Sequence, residues 1–169
     1  MTLLAGCAPT ESASAPTRAV TPEGAARADT SAKVLDQRGE SVVCVYRPPP
    51  GKSGEPALVW KLDGTSPDGS HGLRVERASW SPGGRFLALQ LTSSGGHQPQ
   101  SAPIILYDVE REAEINLDTL LGEGAFATAD GDEAPRWLDS SRLAFTALSA
   151  DGQSFQKVIF DAVAMKVLP

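Results

Sequence analysis

Four stretches of this 169-residue chain leave few folds open: FLALQL at 86–91, PIILY at 103–107, RLAFTAL at 142–148 and KVIF at 157–160. Each is an almost continuous apolar run rather than an alternation of apolar and polar residues. Each is also short, as strands are. Successive side chains of a strand point to opposite faces, so a strand that is apolar at every position needs protein against both faces. A single sheet with one wet face does not meet that requirement. Short antiparallel sheets piled face to face, radially or in a row, do meet it. The expectation is an all-β fold whose central strands are sandwiched between neighbouring sheets. High usage of Gly (16) and Pro (13) agrees with many short strands and turns.

The runs belong to a repeat. Aligned on Trp80 and Trp137, WSPGGRFLALQL matches WLDSSRLAFTAL without a gap: a Trp, a four-residue turn, an Arg (Arg85, Arg142), then an apolar strand. The turns use Pro82-Gly83-Gly84 and Asp139-Ser140-Ser141, residue types that reverse a chain through fixed or permissive backbone angles and local hydrogen bonds. Downstream, PIILYDVEREAEI answers QKVIFDAVAMKVL, with Tyr107-Asp108 matching Phe160-Asp161. A fainter copy lies upstream, where LDQRGESVVCVY fits the hairpin and ALVWKLDG the next strand, Trp60 standing in for Tyr107. The last residues, MKVLP, read as a strand at an open edge, unpaired or capped by the first copy.

Ser81-Pro82-Gly83-Gly84-Arg85 and the aromatic-Asp strand ends make residues 33–169 resemble the WD40-like propeller repeats of the TolB family. That resemblance implies two to three antiparallel, propeller-like blades. Closed propellers typically take 4–8 blades, so the expected form is a partial or open β-propeller. It further implies a protein-interaction scaffold rather than an enzyme, with envelope proteins as partners and no cofactor.

At the amino terminus, Leu4-Ala5-Gly6-Cys7 resembles the lipobox of bacterial lipoproteins. The resemblance makes residues 1–7 the remnant of a signal and Cys7 the lipid acceptor. Ala8, by the family's sorting rule, points to the periplasmic face of the outer membrane. Acyl chains hold a protein by about 0.8 kcal/mol per buried methylene. Residues 8–32 are rich in Ala, Ser, Thr and Pro, with Val20 the one sizeable apolar side chain. They are expected to form a disordered linker. If Cys7 is lipidated, Cys44 in SVVCVY has no partner and acts as a small buried hydrophobe. A Cys7–Cys44 disulfide is the alternative.

Other chemistries find little support. A net charge of −6 and a pI near 4.9, with scattered arginines, exclude wrapping a phosphate backbone. His71 and His97 lie in Gly/Ser-rich loops without metal-site spacing. The acids of ADGDEA (Asp130, Asp132, Glu133) fall short of a calcium loop. Gly51-Lys52-Ser53 mimics a phosphate loop, but Tyr46 occupies the place of its first Gly and Pro56 blocks the helix. No G-x-S-x-G elbow is present.

The preferred function is a lipid-anchored envelope scaffold. Its contact residues are expected in the long 118–134 connection, namely Phe126, Leu120 and Leu121, where Asp118 caps a helical turn. The alternative is a small-ligand or metal-binding envelope protein using acidic loops. A hydrolase remnant ranks third.

Overall fold

The computed structural model describes residues 17–20, 30–37, 40–49, 55–64, 72–93, 103–121, 125–127 and 134–169. The fold is all-β. The first sheet contains β1 (Thr17–Val20), β2 (Ser31–Gln37), β3 (Glu40–Arg47) and β4 (Ala57–Asp63), paired antiparallel in chain order. The second contains β5 (Leu73–Trp80), β6 (Phe86–Ser93), β7 (Ile104–Asp108) and β8 (Ala113–Asn116), again in chain order. A 3-10 helix at Leu117–Leu120 then leads to the third sheet, where β9 (Phe126–Ala127) and β10 (Arg136–Trp137) pair with opposite ends of β11 (Arg142–Leu148). β12 (Phe155–Asp161) and β13 (Lys166–Leu168) complete it.

Two apolar cores separate the three sheets. Ala32, Val34, Val43 and Val45 of the first sheet meet Leu87, Leu89, Ile105 and Tyr107 of the second. Phe86, Ala88, Ile104 and Leu106 of that second sheet meet Leu143, Phe145, Val158 and Phe160 of the third. Consecutive residues of β6 and β7 thus enter opposite cores, which is why FLALQL and PIILY are apolar at nearly every position. RLAFTAL and KVIF differ from the expectation. Leu143, Phe145, Val158 and Phe160 fill the second core, but no further sheet lies on their other side among the described residues. Small residues make this workable: Ala144 is buried and Thr146 half-buried without a covering sheet.

The two tryptophans of the repeat have one job. Trp80 donates its indole N–H to the carbonyl of Val20 in β1 at 3.0 Å, and Trp137 donates to Ser79 in β5 at 3.3 Å. Each ends the first strand of its sheet and pegs it to the first strand of the sheet before. The aromatic positions add to this: Trp60 stacks on Tyr107 (centroids 4.7 Å apart), and Phe86 on Trp137 (6.0 Å). Arg47 clasps the first seam from outside, donating to the Val109 carbonyl at 2.9 Å and pairing with Glu112.

The hairpins do not match gap-free. Ser81 N–H donates to the Phe86 carbonyl across five positions, whereas Leu138 donates to Arg142 across four. Leu87 lies opposite Tyr107 as Leu143 lies opposite Phe160, so the second-sheet turn carries one extra residue. Gly83 and Gly84, with φ of 91° and 70°, supply the left-handed angles that this wider turn needs. Arg85 and Arg142 are consequently not equivalent. Arg85 forks onto Asp108 (3.2 and 2.9 Å), while Arg142 turns back to Asp139.

The closing turns do repeat. Asp108 Oδ1 accepts the amides of Glu110 and Arg111, Asp161 Oδ1 those of Val163 and Ala164, and Glu112 and Met165 take φ of 51° and 56° four residues after each Asp.

The first sheet departs most from its expected form. Trp60 faces Tyr107 across the core instead of repeating its placement. Thr17–Val20, in the segment expected to be a disordered linker, forms β1 because its backbone pairs with β2 and its end receives the Trp80 indole. Residues 1–16 lie outside the described residues. At the first seam, Ser41 accepts the Gly64 amide on its carbonyl and the Val75 amide on its hydroxyl, and a Cβ on Gly64 would stand 2.6 Å from two backbone oxygens. At the other end β13 is an edge strand paired with β12 alone among the described residues, so the first sheet does not cap it.

Candidate interaction surface

The face of the third sheet that looks away from the core is built by strand alternation. Residues paired across its ladders share a face: Ala144 with Arg136 and Ile159, Thr146 with Lys157, Leu148 with Phe155, and Arg142 with Asp161 and in turn Lys166. None of these belongs to the core behind the sheet. Phe155 is 55% exposed, while Leu148, Ile159 and Leu168 are half-buried. Val163 and Met165 are exposed on the turn that follows β12. Of the six large apolar side chains that stay exposed among the described residues, five (Leu138, Phe155, Val163, Met165 and Val167) lie in or beside this sheet. Val167, paired with Phe160, falls on the core-facing side, and Val163 and Met165 stand at the opposite end of β12 from Phe155; the exposed Phe155 beside half-buried Leu148 is the candidate contact point on the outer face.

Of the residues expected to make contacts, Phe126 joins a row of this sheet, while Leu120 and Leu121 lie at the 3-10 helix. Leu120 is exposed on the 3-10 helix. Leu121 packs against the second core, so it is not presented. Phe126 pairs with Leu148 in β9 and so falls in the same lateral row of the sheet as Phe155. The connection is braced rather than free: Asn116, not Asp118, caps the 3-10 turn by accepting the Asp118 amide, while Asp118 itself accepts the amide of Ala127 at 2.9 Å. Burial raises the Asp118 carboxyl above its ordinary range, the Ala127 bond opposing it. Cys7, His71, His97, Asp130, Asp132 and Glu133 lie outside the described residues. The sequence signal for the third-sheet surface was the period-two set Phe155, Lys157, Ile159, masked by reading KVIF as wholly buried.

Two buried groups bear on chemistry. Tyr107 is fully buried, and its hydroxyl finds no hydrogen-bond partner among the described residues. Burial, with Glu112 and Asp108 nearby and Arg47 opposing, raises its pKa. An orphaned hydroxyl costs about 1–3 kcal/mol, so Tyr107→Phe is expected to keep the Trp60 stack and leave stability unchanged or higher by about 1 kcal/mol. Urea midpoints of the two proteins check this, and a clear loss would reveal a partner for the hydroxyl. Cys44 is fully buried on the side of β3 away from the core and is disulfide-bonded, in place of the unpartnered thiol expected with a lipidated Cys7.

Among the described residues no group of three or more His, Cys, Asp and Glu is placed to hold a metal, and no helix is long and apolar enough to cross a membrane. Comparison of the sequence with protein-family models and with curated proteins finds no match.

Proposed function

We propose that the three sheets are consecutive blades of an open, propeller-type stack similar to TolB-type repeats, and that the domain serves as a protein-interaction scaffold at the cell envelope. The observation that carries this reading is the exposure of Phe155 beside half-buried Leu148, on the face of the third sheet turned away from its core. A stack whose middle sheet is closed on both faces offers its end faces and turns to partners. A photocrosslinking residue at position 155 is expected to give discrete adducts in intact envelopes, and one at exposed Arg74 on β5 none. Equal labelling from both positions, or no adduct from any exposed third-sheet position, sinks the scaffold reading.

Membrane attachment through Cys7 is proposed as a separate state of the chain, one in which the Cys44 disulfide is absent, and rests on Leu4-Ala5-Gly6-Cys7 alone. Cys7 and Cys44 are the two cysteines of the sequence, and one thiol cannot hold both an acyl-glycerol and a disulfide. Peptide mass spectrometry of the protein from native membranes separates the two states. An acylated Cys7 peptide supports the anchor. A Cys7–Cys44 linked peptide removes it and leaves the scaffold proposal standing.

A further inference from the structure

Cys44 is fully buried and disulfide-bonded, and the sequence holds one other cysteine, Cys7, which lies outside the described residues. The bond therefore joins Cys7 to Cys44 and closes a covalent ring around residues 8–43. Both β1 and β2 lie within that ring. β1 has little else to hold it. Its residues pair with β2 alone among the described residues, Thr17 and Ala19 are exposed, and Val20 supplies one half-buried side chain to the first core. So short an edge strand belongs to the least stable part of a structure. The disulfide tethers it at both ends: beyond Val20 the chain leads into β2, and ahead of Thr17 it leads back to Cys7 and across the bond to β3. Cys44 stands in one lateral row with Lys33 of β2 and Ala19 of β1, so the bond is anchored two strands from the strand it retains. Closing such a loop raises the concentration of β1 at the edge of β2 and restricts the opened chain.

We propose that the Cys7–Cys44 disulfide is a redox latch on β1, and that through β1 it controls the seam between the first and second sheets. A dithiol supplies the two electrons and two protons that turn the S–S bond into two thiols, and itself closes to a disulfide. β1 is then tethered at one end only. This strand carries the Val20 carbonyl that accepts the Trp80 indole at 3.0 Å, so its departure takes away the peg of the second sheet and leaves a buried donor unanswered. The edge of β2 is bared as well, an unpaired row on which another strand can add. The second seam has no share in this, because Trp137 donates to Ser79 and both residues lie outside the ring. The latch is independent of what the third sheet binds.

The test is hydrogen exchange of the full, unacylated chain, oxidised and after treatment with dithiothreitol, with the indole protons of Trp60, Trp80 and Trp137 resolved by NMR. On reduction the Trp80 indole and the amides of residues 17–20 should exchange about tenfold or more faster, while the Trp137 indole keeps its rate. The Cys7→Ser variant should match the reduced chain and ignore dithiothreitol. Circular dichroism verifies that it is folded. The proposal is overturned if the Trp80 indole exchanges at one rate in both redox states, or if Trp137 accelerates equally, which would be a general loss of stability. A Cys7→Ser variant with the oxidised pattern overturns it too, as does an oxidised chain that yields no linked Cys7–Cys44 peptide. Finding Cys7 solely acylated in native membranes would likewise remove the latch, whereas the crosslinks from position 155 bear on the scaffold reading alone.

Discussion

Replacing Trp80 with alanine is expected to lower the unfolding free energy by about 3–5 kcal/mol, the range for truncating a large buried aromatic. The indole is 8% exposed, packs in the first core, and donates to the Val20 carbonyl of the preceding sheet. Its loss opens a cavity and takes away the donor that ties β5 to β1. Trp80→Phe separates the two effects, because it keeps most of the packing and deletes only the indole donor. That variant should lose about 1 kcal/mol beyond the small volume change. Trp137→Ala should cost less than Trp80→Ala, since Trp137 is only half-buried. Denaturant midpoints at constant slope provide the measurement. If Trp80→Ala behaved like a surface substitution, within about 0.5 kcal/mol of the original, the pegging role would be wrong.

Asp108→Ala should be comparably damaging, at about 3–5 kcal/mol, the range for removing one partner of a buried ion pair. The Asp108 side chain is fully buried and accepts both prongs of Arg85 together with the amides of Glu110 and Arg111, so its removal leaves several donors unanswered. Burial alone would raise its pKa, but the Arg85 bonds and the two amides prevail and hold the carboxyl below its usual range. Asp139, exposed in the equivalent hairpin, is held at about 2 by the Ser141 amide, the Arg142 side chain and the Arg142 amide. For both groups the folded pKa lies below the unfolded value of about 3.9. Their contribution is therefore complete above that value and disappears as pH falls through the folded pKa. Thermal midpoints of the original protein should be level near neutrality and fall below about pH 4. Asp108→Ala should be less stable throughout and flatter across the acid range. A variant as acid-sensitive as the original would show that Asp108 is not the group responsible.

The sheets were legible in the sequence because two faces of burial leave a plain mark: β6 and β7 are apolar at successive positions, and turn residues separate them. The repeated Trp and the Asp-led closing turns were legible too, since each fills the same geometric need twice. The single-residue offset between hairpins was not, because Arg85 and Arg142 are the same residue type serving different carboxylates. Residues 17–20 were read as linker because a strand held by backbone pairing and one indole needs no apolar pattern of its own. The surface of the third sheet stayed hidden for the opposite reason. RLAFTAL reads as enclosed between two sheets, although among the described residues no sheet lies over Ala144 and Thr146.

Strand order within every sheet follows chain order, apart from the short β9, and each core joins sheets that are consecutive along the chain. For a polypeptide leaving the ribosome, that arrangement permits vectorial assembly. The first sheet has all its strands once β4 has emerged, and β5 then finds Val20 and Ser41 already in place. Contacts made early in synthesis need not wait for distant segments, which spares this all-β chain much of the slow search that long-range pairing imposes.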